Sequence, residues 1–276
     1  MKADSPILFD EVKEAFSRQS FRYDFFEEEN QILKWMRHQV RNHVLSFLKH
    51  GDKILEINAG TGLDAIFFAQ QGYDVYATDI SKGMISQLTA KVRELNLSER
   101  IKVQQCSFTE LNKINSGPFD YIFSNFGGLN CLYNLEDSAR SFSQLLNPKG
   151  KVTLVIMPEI CPWEIALILR GHWNTAFRRF GRNGASAHIE GVYFKSFYHS
   201  PLRVMKTLGN DFRKLKLQGL GSFTPPPYMK NFPIRYPRIF KYFNHLDEKF
   251  SGLFPFSRWA DHFILTSEYF PENKKI

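Results

Sequence analysis

Between Ile54 and Ser81 the 276-residue chain has no lysine and no arginine. A loop in that stretch brings no cation of its own to a phosphate group, which argues against a pyrophosphate cradle there. Cysteine is scarce as well. Cys106, Cys131 and Cys161 are too few and too scattered for a disulfide framework or a zinc site, and they read as small core hydrophobes. No apolar run follows a basic start, and the opening MKADSPILFDEVKEAF is amphipathic and polar. Neither a signal peptide nor a membrane span is expected, and a cytoplasmic location is. Metal-ligand spacings, a nucleophile elbow and a phosphate loop are likewise missing, so no metal is expected.

What the chain does have is enough apolar material for one large core. At 43% hydrophobic content and this length, a single α/β domain with insertions is the expectation. Its charge is lopsided. The net charge is +8, yet residues 1–150 carry 17 basic and 19 acidic side chains, whereas residues 151–276 carry 19 and 9. The chain also has 27 phenylalanines, and aromatics are dense between Phe223 and Phe270. A basic, aromatic-rich half suits an anionic and greasy substrate, a membrane surface or RNA, or else is a solvated face over an aromatic core.

The most informative stretch is residues 52–81, DKILEINAGTGLDAIFFAQQGYDVYATDIS. A buried strand, Ile54 to Ile57, runs into Asn58-Ala59-Gly60-Thr61-Gly62, where small residues let the backbone approach a ligand at a helix N-terminus. A second strand, Val75 to Thr78, delivers Asp79 where a carboxylate can grip ribose hydroxyls. Gly60, Gly62 and Ala65 also fit a dinucleotide fingerprint loosely, which would make the protein an oxidoreductase. Charge separates the two readings. Glu56, Asp64, Asp74 and Asp79 are all acidic, so a ligand carrying an ammonium and a sulfonium is favoured over a pyrophosphate.

Glu56-x-Asn58-x-Gly60-x-Gly62, followed by Asp79-Ile80-Ser81 with Met84 and then by Phe119-Asp120-Tyr121-Ile122-Phe123-Ser124-Asn125, resembles the ordered motifs of class I S-adenosylmethionine-dependent methyltransferases acting on small molecules. The resemblance spans roughly residues 21–157. It implies a Rossmann-like seven-stranded doubly wound sheet of order 3-2-1-4-5-7-6, with S-adenosyl-L-methionine as cofactor. Carried over residue by residue, it assigns cofactor binding to Tyr23, Glu56, Asn58, Ala59, Gly60, Thr61, Gly62, Asp79, Ile80, Met84, Ser107, Phe108 and Asn125. Asn58 replaces a glycine, and asparagine is the non-glycine residue that best tolerates a left-handed backbone. Tyr23, in Phe21-Arg22-Tyr23-Asp24, matches the element that folds over the methionine end of the cofactor. Ser107 stands where the family usually has an acid on the adenine amino group, and Phe108 is expected against the adenine face. The loop after the fourth strand faces the transferable methyl, which makes Phe126 and Asn130 substrate-side candidates, although Asn130 also suits a turn's backbone.

Around this core the chain divides into an N-terminal helical cap (1–50), the cofactor core (51–157), a lid insertion (158–199) and the rest of the sheet (200–276) with a second insertion at 222–258. Ile32, Met36, Val40, Val44 and Leu48 predict one long amphipathic helix. Trp163 to Phe180 reads as a lid helix, Ser200-Pro201 as a helix start, and 212–220 and 261–266 as the last two strands. Thr224-Pro225-Pro226-Pro227 is expected to be a stiff bridge. His199 is the preferred general base, over His172 and His188. Arg178, Arg179 and Arg182 are expected to meet a negative group on an apolar acceptor. The expectation is thus methyl transfer to a small apolar or anionic molecule, with no nucleic-acid partner and with peripheral membrane contact in reach. A tRNA or rRNA methyltransferase and a non-catalytic cofactor-binding protein are the alternatives.

Overall fold

The computed structural model describes residues 6–181 and 183–271, so Arg182 lies outside the described residues. Strands β1 (Lys53–Ile57), β2 (Asp74–Asp79), β3 (Ile101–Gln105), β4 (Phe119–Ser124), β5 (Leu146–Ile156), β8 (Phe212–Leu220) and β9 (His262–Tyr269) form one sheet of order β3-β2-β1-β4-β5-β9-β8; β6 (Ala185–Ile189) and β7 (Val192–Ser196) pair as a separate hairpin. The expected strand order holds, with the hairpin accounting for the shift in numbering. The first five strands run parallel, and β9 enters antiparallel between β5 and β8. A parallel sheet needs apolar cover on both faces, and the near-continuous apolar runs of β1 and β4 meet that need.

One face packs α3 (Gln31–Leu45), α4 (Leu63–Gln70) and α5 (Lys82–Glu94) through Met36, Val40, Phe68 and Leu88; α11 (Pro237–Phe250) adds Phe240. The other packs α1 (Pro6–Gln19), α6 (Glu136–Leu145) and α9 (Pro201–Leu208) through Val12, Phe142 and Leu208. Between α1 and α3 lies a short helix, α2 (Tyr23–Glu28). Helix α3 starts where expected because Asn30 caps it, its side-chain oxygen accepting from the Ile32 and Leu33 N–H groups. It stops at Leu45, so Leu48, which the periodicity placed in the helix, falls outside it.

The lid departs most from its prediction. Residues 163–180 are not one helix but two single turns, α7 (Pro162–Ala166) and α8 (Trp173–Phe177), each followed by a 3-10 turn. Gly171 at φ +77° breaks the run, and with Leu169 91% exposed there is no apolar stripe to hold a longer helix down. The segment then ends in the β6–β7 hairpin, which lies on α1. In the second insertion the prolines lead into α10 (Phe232–Arg235) and α11. Asp247 on α11 anchors the approach by accepting from the backbone N–H groups of Ser222, Phe223 and Thr224. No helix of the described residues is long and apolar enough to cross a membrane.

Candidate functional site

At the carboxyl ends of β1, β2 and β4 lies a crevice. That is the end of an open α/β sheet where ligands bind. Its floor is the loop after β1, where Asn58, Gly60 and Gly62 all hold positive φ (50°, 57° and 83°). Asn58 does more than tolerate that conformation. Its side chain accepts from the Ser124 hydroxyl at 2.7 Å and donates to the Asn125 carbonyl at 3.1 Å, clamping the β1 loop to the β4 loop. Gly62 is required by space as well as by φ, because a Cβ there would overlap the Leu88 side chain.

Asp79 sits at the crevice wall, with one oxygen accepting from the Gly60 N–H at 2.9 Å and the other from the Ser81 N–H at 2.8 Å. Burial pushes its carboxyl up to about 6, against the pull of those backbone donors. Two N–H groups leave lone pairs on both oxygens, so it can still accept from a ligand's hydroxyls. Tyr23, Asn58, Gly60, Ile80, Met84, Phe108, Asn125 and Phe126 line the same crevice. Asp24, beside Tyr23, accepts from the Thr61 hydroxyl at 2.5 Å and from Lys91 at 2.6 Å, so α2 straps the glycine loop to α5.

The structure corrects the electrostatic picture drawn from residues 54–81. Helix α3 brings Arg37 and Arg41 to Asp64, which also accepts from Asn125 at 2.7 Å. Against its desolvation, the two arginines hold the Asp64 carboxyl below its usual range. Glu56 is 2% exposed, and burial together with Asp64 raises its carboxyl well above the ordinary value. Asp79 is thus the charged side chain left lining the crevice. Cations 23 and 27 residues before Asp64 cancel a charge that the local window left bare.

Several predicted residues lie elsewhere. Glu56, Ala59, Thr61, Gly62 and Ser107 support the cradle without lining it. Ser107 is tied up locally, its hydroxyl 2.8 Å from that of Thr109. Asn130 takes the turn role, donating to the carbonyls of Met157 and Phe197 and accepting from the Met157 N–H. His199 is fully buried, with Nε2 on the Leu132 carbonyl at 2.8 Å, and burial pushes its imidazole down to about 4. It is a packing residue outside the crevice, not the expected base.

Arg178 and Arg179 do not wait for a substrate anion. Arg178 makes a forked pair with Glu164, and Arg179 bridges Glu164 (2.6 Å) and Asp261 (2.8 Å). These pairs fill the Cys161, Glu164, Asp261 cluster, whose geometry alone suits a metal. Against desolvation, the arginines hold Glu164 below its usual range, and His262 and Arg179 do the same for Asp261.

The sequence reading missed three contributors. Val12 and Phe16 of α1 line the crevice, signalled only by their spacing with Phe9, Ala15 and Gln19 on one helical face. His262, at the start of β9, stands behind the crevice wall with its ring 5.9 Å from that of Phe126 and its Nδ1 2.9 Å from Asp261. Only the antiparallel pairing of β9 with β5 brings it to the ligand end of the sheet.

A family model described as a methyltransferase domain matches residues 54–150. The S-adenosyl-L-methionine-dependent Diels-Alderase iccD of Talaromyces variabilis is 28% identical over 109 residues, covering 39% of this chain and 37% of that protein. The chain thus spans little more than a third of that relative's length. Among solved structures, the geranyl diphosphate C-methyltransferase from Streptomyces coelicolor A3(2) aligns with a TM-score of 0.55 at 12% identity, over 84% of this chain and 79% of that one. The cyclase SpnF aligns with a TM-score of 0.52 at 14% identity, over 84% and 80%. At such identities these two alignments speak for the fold.

Proposed function

Given a class I S-adenosylmethionine-dependent methyltransferase domain at residues 54–150, we propose that the chain methylates a small, predominantly apolar organic molecule held beneath α1 and α2. One observation carries this reading. Beyond the cradle, the crevice wall is Val12, Phe16, Phe108, Phe126 and Cys131, with no unpaired cation among the lining residues. The residues present fit S-adenosylmethionine: Gly60 leaves the floor open, and Asp79 would hold the ribose hydroxyls, Phe108 the adenine and Tyr23 the methionine end. When bound, it supplies an electrophilic methyl on a sulfonium. The chain's own part is to exclude water and to aim the acceptor, which is most of what an in-line displacement needs. The lack of a cation among the lining residues and the pairing of Arg178 and Arg179 withdraw the support for an anionic group on the acceptor.

A second reading has its own support, since a cyclase and a Diels-Alderase are among the similar proteins. A crevice lined by no free general base suits a rearrangement that needs shape and desolvation, with the cofactor bound and unspent. Incubation with methyl-labelled S-adenosylmethionine and an organic extract of the producing cells separates the readings. Label in an organic-soluble product together with S-adenosylhomocysteine supports methyl transfer. Conversion of an extract component to an isomer with the cofactor intact supports the second reading, and label confined to RNA overturns both.

A further inference from the structure

We propose that the second insertion, residues 222–258, is a docking surface for an anionic lipid bilayer. It exposes large apolar side chains among its cations. Ile234 is 70% exposed, Tyr242 60%, Phe254 70% and Leu253 56%. Such large side chains cost free energy in water unless something covers them. On α11 the arrangement is regular: Phe240 and Asp247 point inward, while Arg238, Tyr242, His245 and Lys249 form one exposed stripe flanked by Ile239 and Lys241.

Charge selects the occupant. Lys230, Arg235, Arg238, Lys241, Lys249 and Arg258 interleave with these apolar side chains, and none of the six is in an ion pair among the described residues. Residues 222–258 carry two acids, Asp247 and Glu248, against these six cations. Asp247 is buried under three backbone N–H donors, and Glu248 accepts from Gln39 at 3.1 Å. Cations whose aliphatic stems lie among tyrosines and large hydrophobes match the headgroup layer, where the charge meets anionic lipid and the apolar tips enter the acyl boundary. RNA is a poorer match. Ile234, Ile239 and Leu253 give a base nothing to stack on and a phosphate nothing to bind.

The insertion also touches the crevice's cover. Asn30, which caps α3 directly after the α2 strap, donates to the Pro227 carbonyl at 2.9 Å, and Trp163 of the lid donates to the Phe223 carbonyl at 2.9 Å.

Flotation of the full chain with vesicles of phosphatidylcholine, with and without about a third phosphatidylglycerol, tests the proposal at near-physiological salt. Binding to the anionic vesicles is expected, at least about tenfold weaker on neutral ones. Both Arg238→Glu with Lys241→Glu and Ile239→Ser with Tyr242→Ser should reduce it by at least about tenfold, because charge and insertion act together. S-adenosylhomocysteine titration of each variant confirms the fold and is independent of the docking result. Equal binding to both vesicle types, or none, overturns the proposal. So does a parent chain that sediments as a dimer while the Ile239→Ser, Tyr242→Ser variant is a monomer, or a steeply salt-dependent retention of RNA that the same variants abolish without any vesicle binding.

Discussion

Asp79 concentrates the chemistry of the cofactor cradle into one carboxyl group. Its two oxygens already accept from Gly60 and Ser81, so it shapes the loop as well as facing the ligand. Asp79→Ala should weaken S-adenosylhomocysteine binding by roughly 2 to 4 kcal/mol, as two charge-assisted hydrogen bonds are lost. Isothermal titration reads this directly. The carboxyl's rise to about 6 adds a pH signature. Ligand hydroxyls prefer the ionised form, so affinity should rise from pH 5 to about pH 7.5 and then level off, with about a tenfold deficit at pH 5. Apo stability runs the other way. A carboxyl raised by burial favours folding fully below its unfolded value near 4, and that contribution is lost as pH climbs through 6. A pH-independent affinity would detach Asp79 from the ligand.

Helix α1 illustrates how an element with a weak sequence signal comes to wall a site. It is held against α5 at Gly83, where a Cβ would lie 2.7 Å from the Ser17 carbonyl oxygen, and by the Ser17 and Ser81 hydroxyls 2.9 Å apart. Gly83→Ala is therefore a sharp test. Helix propensity alone predicts a gain of up to about 1 kcal/mol, whereas the backbone clash predicts a loss of about 1–3 kcal/mol. We expect the loss, measured by urea unfolding. Displacing α1 should also weaken S-adenosylhomocysteine binding, because Val12 and Phe16 move with it.

Across the whole molecule, the lid is fastened by charge as well as by the apolar packing of Phe194 on the core. Glu164 of α7, Arg178 and Arg179 after α8, and Asp261 before β9 form one buried network. Glu164→Gln leaves Arg179 short of a counter-charge and should cost about 3–5 kcal/mol, visible as a lower melting temperature at pH 7. The pH dependence follows from carboxyls held below their ordinary range. Their contribution is present above the unfolded pKa near 4 and lost as pH falls through the folded values, so the gap between parent and variant should close below about pH 4. A gap that persists in acid would show that packing, not ionisation, holds the lid.

The sequence alone determined what depends on local order and spacing. A parallel αβ core follows from apolar strands alternating with amphipathic helices, and the cradle from small residues between β1 and α4 with Asp79 ending β2. Asn58 was legible too, because positive φ is a property of the residue itself. Only the tertiary structure decided charge and access. Arg37 and Arg41 neutralise Asp64 from another helix, Arg179 is spent on Asp261, which is 82 residues away, and strand pairing brings His262 behind Phe126 while His199 is packed away. Electrostatic interaction depends on distance in space, and no window along the chain contains both partners of those pairs.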